Sequence, residues 1–188
     1  MSRTPLRLAV LALTSALSAV VLTSPAQAAP YCGISWGSTP EHRTAGDTEK
    51  LNDVRAGRHA CFDRLVIDLG GQDTTFGSYD VRYVTVVRQD GSGAAVPVRG
   101  AADLQLVVDA PAYDDQGNPT LPQRNLRELA DVSGFTTFRQ VAFAGSFEGR
   151  TTIALGVRAR TPFRVFTING TPQSDDTPRL VIDVAHRW

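Results

Sequence analysis

The chain has 188 residues, 42% of them apolar, with 19 basic and 19 acidic side chains and no formal net charge. That balance excludes a nucleic-acid binder working through a general positive field. The length is that of one domain, able to bury a core without help from metals.

The first element is a leader. Arg3 and Arg7 precede an uncharged apolar run from Leu8 to Leu22, and Ser24-Pro25-Ala26-Gln27-Ala28 then supplies the small-x-small pattern that a signal peptidase reads. Cleavage is expected after Ala28. A run of about 15 residues falls short of the ~20 that span a bilayer, and Cys32 follows Ala29-Pro30-Tyr31 rather than the small residues a lipidation site needs. Residues 1–28 therefore read as a signal peptide, 29–60 as an N-terminal arm and 61–188 as a β domain, secreted and either extracellular or cell-wall associated, with no membrane span after cleavage. Processing removes two arginines and no acid, which leaves 17 basic and 19 acidic residues and a net charge of −2. Cys32 and Cys61 are an even pair in an oxidising compartment and read as a disulfide closing a 30-residue loop. Such a loop is worth roughly 3–4 kcal/mol in the chain-entropy model. A free thiol nucleophile or a metal pair are the lesser readings.

From Pro30 to Arg58 the chain is polar around Trp36, and an extended arm lying over the core and pinned by the disulfide is expected. From Phe62 onward, short runs rich in Val, Ile, Phe and Thr alternate with Gly, Asp and Pro clusters, the pattern of consecutive β-strands. Strands are expected near 62–69, 79–88, 94–98, 103–109, 138–144, 150–158, 163–168 and 179–184. The clearest hairpin joins 83–88 to 94–98 through Gln89-Asp90-Gly91-Ser92-Gly93, because Asp-Gly supplies the positive φ that a tight turn requires. Leu126–Val132 could form a turn or two of helix capped by Asn125, answered by Glu128 and ended by Gly134. The loop 112–119 reads as solvated. Together these elements predict an all-β fold, a β-sandwich of two similar sheets with at most one short helix.

Arg64-Leu65-Val66-Ile67-Asp68-Leu69 recurs as Arg179-Leu180-Val181-Ile182-Asp183-Val184, with five identities in six, which points to an internal pseudo-repeat and two related half-domains. Period-2 geometry puts Leu65, Ile67 and Leu69 on the core face, with Leu180, Ile182 and Val184 equivalent. If the two copies pair antiparallel about Val66 and Val181, Arg64 falls opposite Asp183 and Asp68 opposite Arg179. Such pairs contribute a few tenths of a kcal/mol each and set register more than stability.

Little in the chain signals chemistry. His42, His59 and His186 have no partner at metal-ligand spacing, so no metal or cofactor is expected. The loop Asp114-Asp115-Gln116-Gly117-Asn118 lacks the alternating ligands of a calcium loop. Around Ser146 the glycines do not flank the serine as a nucleophile elbow needs, and it reads as a loop residue. Asp63 and Asp68 are the best carboxylates for a small hydrolase, but Asp68 belongs to the repeated strand, and no catalytic residue is assigned. What remains is the run Arg55 to Arg64, where three arginines and His59 approach a strand anchored by Cys61, and Arg164 in the basic stretch Arg158 to Arg164. Guanidinium forks suit carboxylates and phosphates, so Arg58, His59, Asp63 and Arg164 are the candidate ligand-binding residues.

The strand Arg64 to Leu69, the stretch Thr161-Pro162-Phe163-Arg164-Val165-Phe166 and the closing Pro178 to Val184 resemble the AMIN-like domain of exported proteins from high-GC Gram-positive bacteria, as do Cys32-Gly33, Trp36-Gly37-Ser38 and Arg58-His59-Ala60-Cys61-Phe62-Asp63-Arg64. The resemblance runs from about Cys32 to Val184. It implies a sandwich of two similar sheets, and a non-catalytic module, because related AMIN domains accompany cell-wall amidases and pilus secretins, target them to the envelope and bind peptidoglycan. This chain departs from the pattern in carrying neither an attached enzyme domain nor a lipid anchor, so targeting of a catalytic neighbour in the same chain is not expected. The segment 121–137 also exceeds the length the family leads one to expect. The reading is a secreted, non-catalytic, envelope-associated binding module for peptidoglycan or another cell-wall component, a cell-wall glycan among them. The alternatives are recognition of an envelope protein by strand addition to an exposed sheet edge, and a small hydrolase with carboxylates not yet picked out.

Overall fold

A computed structural model describes residues 29–46, 49–71, 74–122 and 125–188, so the expected signal segment 1–28 lies outside the described residues. In chain order the strands are β1 (Glu41–Arg43), β2 (Leu51–Arg58), β3 (Phe62–Leu69), β4 (Tyr79–Val84), β5 (Ala102–Val108), β6 (Phe138–Phe147), β7 (Arg150–Val157), β8 (Phe163–Ile168) and β9 (Arg179–Ala185). They form two antiparallel sheets, ordered β1-β4-β5-β7-β6 and β2-β3-β9-β8. The helical element among the described residues is one 3-10 turn, Tyr31–Gly33. The expected all-β sandwich is therefore what forms.

Strand order explains the sequence repeat. The hairpins β2-β3 and β8-β9 lie back to back, so that β3 and β9 become central neighbours, and β4-β5 and β6-β7 repeat the arrangement in the other sheet with β5 and β7 central. The pairing of β3 with β9 has Val66 opposite Val181, Arg64 opposite Asp183 and Asp68 opposite Arg179. A segment with Arg four residues before Asp complements its own copy only when the two run antiparallel, because parallel in-register pairing would set like charges side by side.

Alternation does the rest. Leu65, Ile67 and Leu69 of β3 and Leu180, Ile182 and Val184 of β9 turn inward and are fully buried. They meet Leu104, Leu106 and Val108 of β5 and Ile153, Leu155 and Val157 of β7 in one continuous core. Each such aliphatic side chain contributes about 1.5–3 kcal/mol on burial.

Four local expectations give way. The arm is not all draped chain, since Glu41–Arg43 joins the five-stranded sheet and Leu51–Arg58 the four-stranded one. Leu126–Val132 is not helical. Leu129 donates its backbone N–H to the carbonyl of Val141, and Phe143 donates to that of Leu126, so tertiary bonding to β6 replaces the i to i+4 pattern. The hairpin arm 94–98 is not a ladder strand but makes one isolated bridge, Arg88 to Ala95, while its turn has the expected positive φ at Gly91 (78°) and Gly93 (70°). Ser146 lies on β6, its hydroxyl accepting from the N–H of Ala112 and donating to the Arg150 carbonyl.

A candidate binding face on the four-stranded sheet

The outward positions of β3, β8 and β9 gather Arg64, Arg164, Phe166 and Asp183, and Phe62 and the arm residue Trp36 border them. Asp183 is fully buried and is held by two arginines. Arg64 donates Nε to Oδ1 (2.6 Å) and Nη2 to Oδ2 (2.9 Å), while Arg164 donates Nε to Oδ2 (2.9 Å). The hydrogen bonds that Arg64 donates to Asp183 raise the Arg64 pKa above the ordinary arginine value against the opposing effect of burial. One carboxylate thus faces two guanidiniums, and the cluster keeps a net positive charge.

Aromatic rings fix those guanidiniums from the sides. Arg164 lies over Trp36 (4.4 Å), Phe166 (5.1 Å) and Phe62 (5.8 Å). Arg64 lies over Phe62 (5.3 Å) and Phe166 (5.6 Å). Trp36 meets Phe62 edge-on at 5.6 Å. Period-2 geometry is the local cause, since Phe62 is two residues before Arg64 on one strand and Phe166 two after Arg164 on the other, which puts all four on one face. Trp36 arrives from the arm, tethered by the Cys32–Cys61 disulfide. Cation–π contacts of this kind contribute about 0.5–1 kcal/mol each where exposed.

The residues singled out in the sequence divide between two places. Arg164 is central to this face, with 42% of its side chain exposed. His59 borders it, its ring stacked on Phe62 at 4.5 Å. Arg58 points elsewhere, donating to the carbonyl of Gly134. Asp63 is fully buried, on the inward side of β3. Its Oδ2 accepts the N–H groups of Thr137 (2.5 Å) and Phe138 (3.0 Å), and Oδ1 bonds His186 Nε2 (3.1 Å). It joins the start of β6 to the end of β9 and is not on the candidate face. Asp68 is engaged by Arg55 through two bonds, 2.7 and 3.0 Å, with Arg179 at 3.9 Å. Sequence reading missed Trp36, Phe62 and Phe166 as members of the site, although the spacing of both phenylalanines from an arginine was the signal.

Residues 49–186 match the family model of the AMIN-like domain. The chain belongs to the AMIN-like domain family. No curated protein and no solved structure matches it. The matched span of the AMIN-like domain takes in β2 to β9 and stops short of Trp36 and Cys32, so the candidate face is completed by chain outside the span. Family and disulfide together indicate an envelope or cell-wall associated module with an extracellular or envelope location. No helix among the described residues is long and apolar enough to cross a membrane.

Three edge strands, β8, β6 and β2, are met by the protein's own chain. Along β8, Phe163 donates its N–H to the carbonyl of Gly37 (2.8 Å), Val165 to Glu41 Oε2 (3.1 Å), and Arg43 reaches Thr167 Oγ1 (3.1 Å). Along β6, segment 126–129 makes the two bonds described above. At β2, Val54 N–H turns back to Asp53 Oδ1 (2.8 Å). Capped edges of this kind deter added strands.

Proposed function

We propose that this protein is a secreted, non-catalytic module that binds peptidoglycan or another cell-wall component through the face built from Trp36, Phe62, Phe166 and Arg164. The observation that carries the reading is the sharing of one buried carboxylate, Asp183, by two guanidiniums among three rings. A guanidinium has five N–H donors, and Arg164 spends Nε and Nη2 on Asp183. The remainder suits a ligand carboxylate, and the partly exposed rings suit the C–H faces of sugars through their π faces. Peptidoglycan offers both in its glycan and its peptide stems. Secretion is supported by the leader pattern and the disulfide.

The capped edges of β6 and β8 weigh against strand addition by a protein partner. A two-carboxylate hydrolase is likewise disfavoured. Burial raises the pKa of Glu41 and of Asp103, but Glu41 reaches the backbone of β8 while Asp103 sits on the outward side of β5, opposite Val84.

The test is co-sedimentation of the mature protein with insoluble peptidoglycan at low and high salt. Wild type is expected in the pellet at both, and Arg164→Ala to weaken binding by about tenfold, the loss of one charge-assisted contact. Arg58→Ala is expected to bind as wild type. No sedimentation at either salt would refute the proposal.

A further inference from the structure

Where β9 runs out, at the end of the sandwich, the arm that carries Trp36 meets a second group of rings and guanidiniums. Past Ala185, His186 donates its N–H to the carbonyl of Cys61 (3.0 Å), which carries the chain on beside the disulfide. Arg187 then lies over the ring of Tyr31 at 5.4 Å. Tyr31 adjoins Cys32, whose partner Cys61 adjoins Phe62 of the Arg164 face. Trp188, 69% exposed, is the most exposed large apolar side chain among the described residues. It is nevertheless held, because its indole N–H donates to the carbonyl of Arg160 (3.0 Å). Arg160 in turn donates Nε to Ser38 Oγ (3.3 Å) and Nη2 to the Ser38 carbonyl (2.9 Å). Ser38 is two residues from Trp36, a span of at most ~7 Å. Both ends of the stretch from Tyr31 to Ser38 are thus tied to this second group, and Trp36 lies between them.

Charge is not balanced here. Arg158, Arg160 and Arg187 are all exposed. Arg158 donates to the carbonyl of His186 and Arg160 to Ser38, while Arg187 makes no hydrogen bond among the described residues. None of the three is in an ion pair with a carboxylate among the described residues, the main-chain carboxylate of Trp188 included. Asp63 is close by, but it is buried and its oxygens are taken by Thr137, Phe138 and His186. Asp183, four residues before Arg187, is already shared by Arg64 and Arg164. Three guanidiniums against the Trp188 carboxylate and the buried Asp63 leave positive charge in excess, and Arg187 keeps all its donors for a ligand.

We infer that Arg187, Tyr31 and Trp188 form a second subsite for the wall polymer bound at the Arg164 face. Arg187 takes a second carboxylate of that polymer, and the fixed indole of Trp188 takes the C–H face of a sugar. The inference rests on the cell-wall reading and adds the form of the ligand, a strand with carboxylates that recur along it rather than a single end group.

The chain has two tryptophans, Trp36 and Trp188, so each subsite carries its own fluorescent reporter. The experiment titrates the disulfide-intact mature protein, and its Trp36→Phe and Trp188→Phe variants, with two soluble fragments of peptidoglycan. One is the disaccharide-peptide monomer and the other an uncross-linked glycan strand bearing the same peptides, both counted per disaccharide. The strand should shift the emission of both tryptophans and bind about five- to tenfold tighter than the monomer. Arg187→Gln should bring the strand down to the monomer's affinity and leave the monomer's unchanged, whereas Arg164→Ala should weaken both. Because Arg187 makes no hydrogen bond within the described chain, its replacement should leave the melting temperature as it is. A strand that binds no tighter than the monomer, a Trp188 emission silent to the strand, or Arg187→Gln binding the strand as wild type does would overturn the second subsite and leave the cell-wall reading standing. Binding of neither fragment to the wild-type protein would overturn that reading, and the subsite with it.

Discussion

Asp63 offers the sharpest separation of structural from ligand-binding roles. Its buried carboxylate accepts two backbone N–H groups, those of Thr137 and Phe138, and meets His186, which is 7% exposed. Alanine leaves both donors buried without an acceptor. At ~1–3 kcal/mol for each orphaned group, Asp63→Ala should cost about 3–5 kcal/mol. For a domain of this size that corresponds to a fall in melting temperature of roughly 8–16 °C. Asparagine keeps an oxygen where Oδ2 serves both N–H groups, turns an amide toward His186, and loses only the charge assistance, so Asp63→Asn should cost about 1–2 kcal/mol. Urea unfolding followed by tryptophan fluorescence gives both values, and co-sedimentation below the transition gives wall binding. Asp63→Asn should pellet with peptidoglycan as wild type does. An alanine variant within 1 kcal/mol of wild type, or an asparagine variant that stays folded yet loses the wall, would refute the structural assignment.

Replacing both Cys32 and Cys61 with serine should cost roughly 3–4 kcal/mol by the loop-entropy argument and loosen Trp36, which a shift in tryptophan emission together with the melting curve would report. Glu41 has its pKa raised by burial, with the Val165 N–H opposing. Its ionisation therefore opposes folding, and stability is greatest below the ordinary value of 4.5 and is lost as pH rises through the raised one. Glu41→Gln should remove that dependence, being as stable as wild type at acid pH and no less stable at neutral pH, as urea midpoints across the range would show. At Gly156 an added Cβ would collide with the carbonyl of Arg99, so Gly156→Ala should cost about 1–3 kcal/mol as overpacking, measured by urea unfolding.

Two missed elements show where local pattern stops being informative. Strand β2 lies in what the sequence presents as an extended arm, because its inward residues are Leu51, Val54 and Ala56, spaced three and then two apart. A register shift between Leu51 and Asp53 changes the phase of alternation partway along the strand, and a period-2 search does not survive such a bulge. The helical reading of Leu126–Val132 rests on a cap at Asn125, its answer at Glu128 and a stop at Gly134, but the open edge of β6 offers that backbone the partners it takes. Similarly, Arg58 and Arg164 looked equivalent as basic residues near strands. Arg58 stands opposite the inward Asp63 and Arg164 opposite the outward Asp183, a difference of face that depends on strand phase.

By itself the sequence determined the strand-rich core and, through a hexapeptide with Arg first and Asp fifth, the antiparallel register of β3 on β9, because charge order along a strand is a local property that its partner must complement. It also determined the cysteine pair that tethers the arm. Only the tertiary structure decided that one buried Asp183 serves two arginines from different strands, that Trp36 completes their aromatic surround, and that Arg187, past the end of β9, comes to lie over Tyr31 of the same arm. Those arrangements join groups from separate strands and segments, and which of them meet is set by the packing of sheets rather than by the preferences of any one segment.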